Sequence, residues 1–134
     1  MNKFTRILAI VMAVFSLASC GANLSIDGEW SVVSVEGQTV ETSEKAPYLV
    51  FNESEGTVHG FLGVNLLNGT YSLKGDKLSL EHLGTTMMSG LPQDMDVEAK
   101  LLNAINSAAV ARMEEGKLLI YDAEGKELLT LARS

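Results

Sequence analysis

The sequence predicts an α+β domain: a curled, barrel-like antiparallel β-sheet of about eight strands, with a single α-helix at about residues 94–107 packed against it. Three observations carry that expectation. Short segments that alternate polar and apolar residues recur along most of the chain, and period-two alternation gives a strand one buried face. Turn pairs such as Gly75-Asp76, Glu115-Gly116 and Glu124-Gly125 separate several of them, and joins this short connect antiparallel neighbours, since parallel strands need long crossovers. Only one stretch switches to a helical period, so a single helix must cover or close the whole sheet.

Residues 28–36 open the domain. Trp30, Val32 and Val35 alternate with Glu29, Ser31 and Ser34, and Trp30 is the largest anchor of this strand. Residues 37–46 are polar and acidic and read as a loop. Pro47 starts a second strand at 48–51, a position where proline is tolerated. After a turn at 52–56, a third strand runs over 57–61. The glycines and asparagine of 60–65 read as a bend, which the Asn65 side-chain amide is expected to tie, and Asn68-Gly69 as a tight turn into a fourth strand at 70–74. A fifth strand occupies 77–83, and 84–92 is a connection. Val97, Leu101 and Ile105 then repeat every four residues, widened by Met95 and Leu102, with Asp94 as the expected N-cap. Residues 108–113, 117–121 and 126–131 close the domain as three more strands.

The first 19 residues read as an export signal. Lys3 and Arg6 form a basic start, and the apolar run from 7 to 17, broken only by Ser16, is shorter than the roughly 20 residues that span a bilayer. Its end, Leu17-Ala18-Ser19-Cys20, resembles the lipobox of bacterial lipoproteins. The resemblance implies cleavage between Ser19 and Cys20, lipidation of Cys20, a short tether over 20–27 and a folded domain over 28–134. One acyl chain binds a membrane marginally, at about 0.8 kcal/mol per buried CH₂, whereas the three chains of that class hold firmly. Gly21-Ala22 lacks the aspartate that would retain a lipoprotein at the inner membrane, so the expected location is the outer membrane, facing the periplasm.

Charge narrows the partners. The chain carries 17 acidic and 10 basic side chains, and loss of Lys3 and Arg6 with the signal leaves 17 against 8, a net of −9. Such a surface cannot neutralise a phosphate backbone, which excludes nucleic acid, and it does not favour anionic lipid. Membrane association therefore rests on the acyl chains, and an envelope protein is the expected further partner. Cys20 is the only cysteine, so stability must come from a hydrophobic core rather than a disulfide.

Trp30 in the first strand, Pro47-Tyr48-Leu49-Val50-Phe51, Gly60-x-x-Gly63-x-Asn65, Gly69-x-Tyr71, Thr85-x-Met87 and Leu101-Leu102-x-Ala104 together resemble a META domain, the HslJ-like group of small bacterial envelope proteins. The likeness runs from about residue 28 to the end. It implies a compact β-rich fold with one helix, no established catalytic activity and a loosely stress-linked role. Many relatives carry cysteine directly before the asparagine and two residues after the methionine. Those positions are Val64 and Ser89 here, so any redox role of such a pair is absent.

No chemistry-bearing constellation stands out. His59 and His82 have no partner at ligand spacing, and no metal or other cofactor is expected. Asp94-x-Asp96-x-Glu98 lacks the glycine and distal glutamate of a calcium loop and reads as acids favoured at a helix start. Met87, Met88 and Met95 read as core filling under the helix, against the alternatives of a soft-metal site or an adaptable binding surface. Neither a Gly-x-Ser-x-Gly nucleophile nor a P-loop is present. The expected function is thus a non-enzymatic, membrane-anchored interaction or stress-response module. The alternative is a small apolar-ligand binder, which requires a cavity of about 300 Å³ or more lined by Trp30, Phe51, Phe61 and the methionines. A solid core with an exposed apolar patch points instead to a protein partner.

Overall fold

The computed structural model describes residues 24–134. The expected export signal, the expected Ser19–Cys20 cleavage site and residues 20–23 of the expected tether lie outside the described residues. The elements in order are β1 (Gly28–Val35), β2 (Gln38–Thr39), β3 (Tyr48–Asn52), β4 (Thr57–Phe61), β5 (Leu66–Lys74), β6 (Lys77–Thr85), α1 (Pro92–Ser107), β7 (Val110–Glu114), β8 (Lys117–Tyr121) and β9 (Glu127–Arg133). Every pairing is antiparallel. From β3 onward each strand lies beside the next, and β1 pairs with both β3 and β9. Eight strands therefore form a closed barrel, and β2 is a two-residue addition against the end of β1. The seam between β6 and β7 is short, one residue pair at Lys77 and Val110, with Leu78 N–H donating to Ala109 O and Ala111 N–H to Asp76 O, both at 2.9 Å.

The barrel has two distinguishable ends. At the entry end the chain comes in over residues 24–27, Gly28 pairs with Phe51, and the 52–56 turn joins β3 to β4. At the far end lie Val35, Tyr48, Phe61, Leu66 and Thr85. Strand alternation directs Trp30, Val32, Val35, Leu49, Phe51, Val58 and Leu67 inward, where they are buried with Leu118, Ile120, Leu129 and Leu131. From α1, Leu101, Ala104 and Ile105 join this core. Each such large apolar side chain contributes roughly 1.5–3 kcal/mol by leaving water. Trp30 is fully buried, and its indole N–H donates to Ile26 O at 2.8 Å, which ties the entering segment to the barrel floor.

Several expectations need correction. Asn68-Gly69 is not a turn, since both residues lie inside β5, which runs without interruption over nine residues. The register shifts there: Asn68 pairs with Gly84 and Thr70 with Glu81, so His82 and Leu83 bulge opposite Gly69. His82 takes a positive φ of 54°. A Cβ at Gly69 would sit 2.6 Å from Leu83 Cδ2 and 2.9 Å from Glu81 O. Glycine is there for close approach across a bulge, not for reversal. The reversal is made by residues 62–65, closed by Leu62 N–H donating to Asn65 O at 2.9 Å, so the bend expected at 60–65 is present. Gly63 (φ +121°) lets that bend lie against the first turns of α1, close to the Asp94 carbonyl.

The helix also starts earlier than expected. Pro92 occupies its first turn, Leu91 is the N-cap with no side-chain bond, and Asp94 is inside the helix rather than capping it. Proline pre-sets the helical φ and lacks the N–H that a cap would satisfy. Strand ends differ by one to a few residues elsewhere, and β2 lies inside the segment expected to be loop.

Candidate functional site

The polar centre of the far end is built on α1. Asp94 and Glu98 are one turn apart on one face, and both are buried. Asp94 holds the loop before β3: its Oδ1 accepts from Ser43 N–H at 2.9 Å, and its Oδ2 from Ser43 Oγ at 2.6 Å. Glu98 holds the 62–65 bend. Its Oε1 accepts from the N–H groups of Val64 (3.1 Å) and Asn65 (2.6 Å), and its Oε2 accepts from Asn65 Nδ2 at 2.6 Å.

Asn65 extends the connection to the segment between β6 and α1. Its Oδ1 accepts from Thr86 Oγ1 at 2.8 Å and from Met88 N–H at 2.6 Å, while Nδ2 also donates to Met88 O at 3.1 Å. Both amide hydrogens and both oxygen lone pairs are thus used. Flipping the amide would set its N–H groups against the Met88 N–H, so Glu98 and Met88 together fix its orientation. Thr86 is anchored in turn by Leu66 N–H donating to its Oγ1 at 3.0 Å. The expectation that Asn65 ties the bend through its side chain is met, and its reach extends to residues 86–88.

This clamp presents an apolar patch. Met87 is 93% exposed, Met88 53%, Leu91 58% and Leu66 46%. The register places Tyr48, Phe61 and Leu66 side by side on the outer face of β3, β4 and β5, so the patch continues into two half-buried aromatic rings 6.3 Å apart. Lys45 Nζ lies 4.9 Å from the Tyr48 ring centre. Met87 and Met88 are therefore not core filling. The Met88 backbone is fastened to Asn65 at both its N–H and its carbonyl, and both methionine side chains are exposed. Val64 lies against Gly90, where a Cβ would approach its Cγ2 to 2.6 Å.

The remaining predicted positions serve the fold. Trp30 is core, with the Arg133 guanidinium 4.0 Å over its ring. Gly60 lies between β3 and β5, where an added Cβ would collide with Tyr48 O. Thr85 ends β6 opposite Leu67. His59 and His82 are exposed on separate strands, and among the described residues no group of three metal-ligating side chains assembles. At the entry end lie open depressions of about 590 and 230 Å³, bordered by Ser25 and Glu53; of the residues expected to line a ligand cavity, Phe51 borders the larger one, while Trp30, Phe61 and the methionines border neither. Burial, aided by the Glu53 and Asp27 carboxylates, raises the Tyr71 phenol above its ordinary range.

Sequence reasoning reads Glu98 only as an acid favoured at a helix start, and it assigns no role to Thr86 or Ser43. A signal for Glu98 exists: positions 94, 98, 101 and 105 share one helical face, so the two acids continue the buried stripe of Leu101 and Ile105.

A closed antiparallel barrel with one helix stapled to its far-end loops defines the class. The META domain family matches residues 22–134, and the chain belongs to that family. Among solved structures it is similar to a protein from Burkholderia xenovorans solved by NMR, at 26% identity and a TM-score of 0.60, covering 81% of this chain and 82% of that one. A DUF4847 family protein from Bacteroides vulgatus shares the fold at 15% identity and a TM-score of 0.60, covering 81% of this chain and 93% of that one. No curated protein matches.

Proposed function

We propose that this META domain is a non-enzymatic, lipid-anchored module of the bacterial envelope that engages a protein partner through its far-end apolar patch. The exposure of Met87, Met88, Leu91 and Leu66 on a hydrogen-bonded backbone carries the reading. A contiguous apolar surface held rigidly in water is a feature of interaction sites. Methionine side chains, flexible and polarizable, suit it to contact. Exposed Glu41, Glu44 and Asp96 occupy the loop and helix turn that Asp94 joins. The partner surface that fits is apolar at its centre with basic groups at its rim.

The geometry supports attachment at Cys20. Leu24 reaches the barrel at its entry end, beside Gly56 and Tyr71, and the four chain steps from Cys20 to Leu24 span at most about 14 Å. The patch lies at the opposite end of β3, roughly 13 Å further from the membrane at a strand rise of about 3.3 Å per residue. It would face the periplasm while the entry end faces lipid. Replacing Cys20 with alanine should move the protein from the membrane to the soluble fraction; unchanged retention would overturn the anchor. For the patch, Leu66→Asp is the test, because an exposed position tolerates charge without unfolding. It should abolish the complex isolated after crosslinking in cells, and an undiminished complex would overturn the docking reading. The apolar-ligand alternative finds only Phe51, of the lining residues it requires, at the entry-end depressions, which are open and carry the acids Asp27 and Glu53.

A further inference from the structure

Of the four methionines in the mature chain, two are adjacent and lie in the patch. Met87 is the most exposed large apolar residue of the described chain at 93%, and Met88 is 53% exposed, while Met113 is 37% exposed and Met95 is partly buried in the first turns of α1. The Met87–Met88 backbone does not depend on those side chains. Asn65 Oδ1 takes the Met88 N–H, Asn65 Nδ2 reaches the Met88 carbonyl, and Thr86 Oγ1 is held by the same amide. Chemistry at the two sulfurs can therefore change the surface while the fold stays in place.

We propose that Met87 and Met88 form an oxidation site at which a hydroperoxide converts the docking face from apolar to polar and releases the partner. The step is a two-electron oxygen transfer. The thioether sulfur attacks the terminal peroxide oxygen and forms the S–O bond, the O–O bond breaks with its electron pair leaving on the other oxygen, and the proton of the transferred OH passes to that oxygen, which departs as an alcohol, or as water when the oxidant is hydrogen peroxide. The product is methionine sulfoxide, a polar and chiral group that a sulfoxide reductase returns to the thioether. Susceptibility follows exposure, which orders the sites with Met87 first and Met88 second. A sulfoxide oxygen pressed against an apolar partner loses its water without gaining a hydrogen bond. One such unpaired polar group weakens binding by roughly tenfold or more.

The inference rests on the docking reading above, and the experiment separates the two. The full-length protein, in membranes, is treated with graded hydrogen peroxide; sulfoxide is mapped by peptide mass spectrometry, thermal unfolding is followed, and the crosslinked complex is quantified. The same is done for the Met87→Leu/Met88→Leu double variant, which keeps the apolar surface without the sulfurs, and for Leu66→Asp. We expect sulfoxide at Met87 and Met88 before Met95 and Met113, an unchanged unfolding temperature, and about a tenfold loss of complex in the wild type that the leucine variant does not show. Oxidation of Met95 or Met113 at the same peroxide dose, or unfolding in step with oxidation, would overturn the site. An oxidised pair with undiminished complex, while Leu66→Asp abolishes it, would overturn the switch and leave docking intact. Undiminished complex in Leu66→Asp as well would overturn docking, and the switch with it.

Discussion

Replacing Glu98 with glutamine leaves the side-chain volume almost unchanged and turns one of its two acceptor oxygens into a donor NH₂. The carboxylate accepts three N–H groups, two from the backbone of Val64 and Asn65 and one from the Asn65 amide. A glutamine offers one oxygen. If that oxygen keeps the two backbone N–H groups, its own NH₂ meets Asn65 Nδ2, donor against donor. If it turns to Asn65, the two backbone donors are left facing an NH₂. Asn65 cannot relieve this by flipping, because its oxygen is held by Thr86 Oγ1 and Met88 N–H. The loss is at least one charge-assisted bond plus an unsatisfied buried donor, about 2–4 kcal/mol in all. With a urea slope of about 2 kcal/mol/M, the middle of the range for small domains, the unfolding midpoint should fall by about 1–2 M. Trp30, fully buried and the only tryptophan, reports the transition by fluorescence. Asn65→Asp should cost more than Glu98→Gln, since it puts a second carboxylate against the first. The double variant should recover part of the sum, because the glutamine NH₂ then faces an acceptor, giving a coupling of about 1 kcal/mol or more. A midpoint within 0.3 M of wild type for Glu98→Gln, a threshold of about half a kcal/mol on that slope, would refute the account of Asn65 as an oriented relay.

Leu101→Ala, which empties a fully buried position on the inner face of α1, should cost about 2–5 kcal/mol in the same denaturant assay. Gly60→Ala should destabilise the barrel because its Cβ meets the Tyr48 carbonyl, whereas Gly84→Ala enters open space and should melt within a few degrees of wild type. Raising the pH through and above 10 should weaken the fold: the Tyr71 phenol holds its proton more tightly folded than unfolded, so the stability it supplies is present below the unfolded value and lost as pH rises through the folded one. Tyr71→Phe should flatten that alkaline loss, measured as unfolding midpoints at successive pH values.

The barrel and its single helix are visible in the sequence because strand alternation, short turns and one helical stripe all describe the same object. Asn68-Gly69 misleads for a physical reason. Asparagine-glycine favours a type I′ turn locally, but at this position β5 must pass Leu83 and Glu81 at close range, and glycine serves that approach instead. Register with a distant strand is a tertiary fact that a dipeptide does not carry. The methionines mislead because hydrophobicity alone does not say which side of the backbone faces the core; a hydrogen-bond clamp from Asn65 decides it. Asn65 itself is legible as a tie. Its partners are not, because Glu98 is 33 residues away and Met88 is 23. Glu98 was within reach of helical periodicity, since it shares the face of Leu101, yet acids near a helix start have a sufficient explanation in the dipole and draw no further attention.

The proposed protein partner docks at the far end of the barrel, not at the entry end. Site-specific photocrosslinking in intact cells tests it directly, with the photoreactive residue placed at Met87 at the far end and at Ser54 at the entry end. A discrete protein adduct is expected from position 87, lost when Leu66→Asp is added, and none of that size from position 54. The same adduct from both positions, or an adduct from position 54 alone, would contradict it.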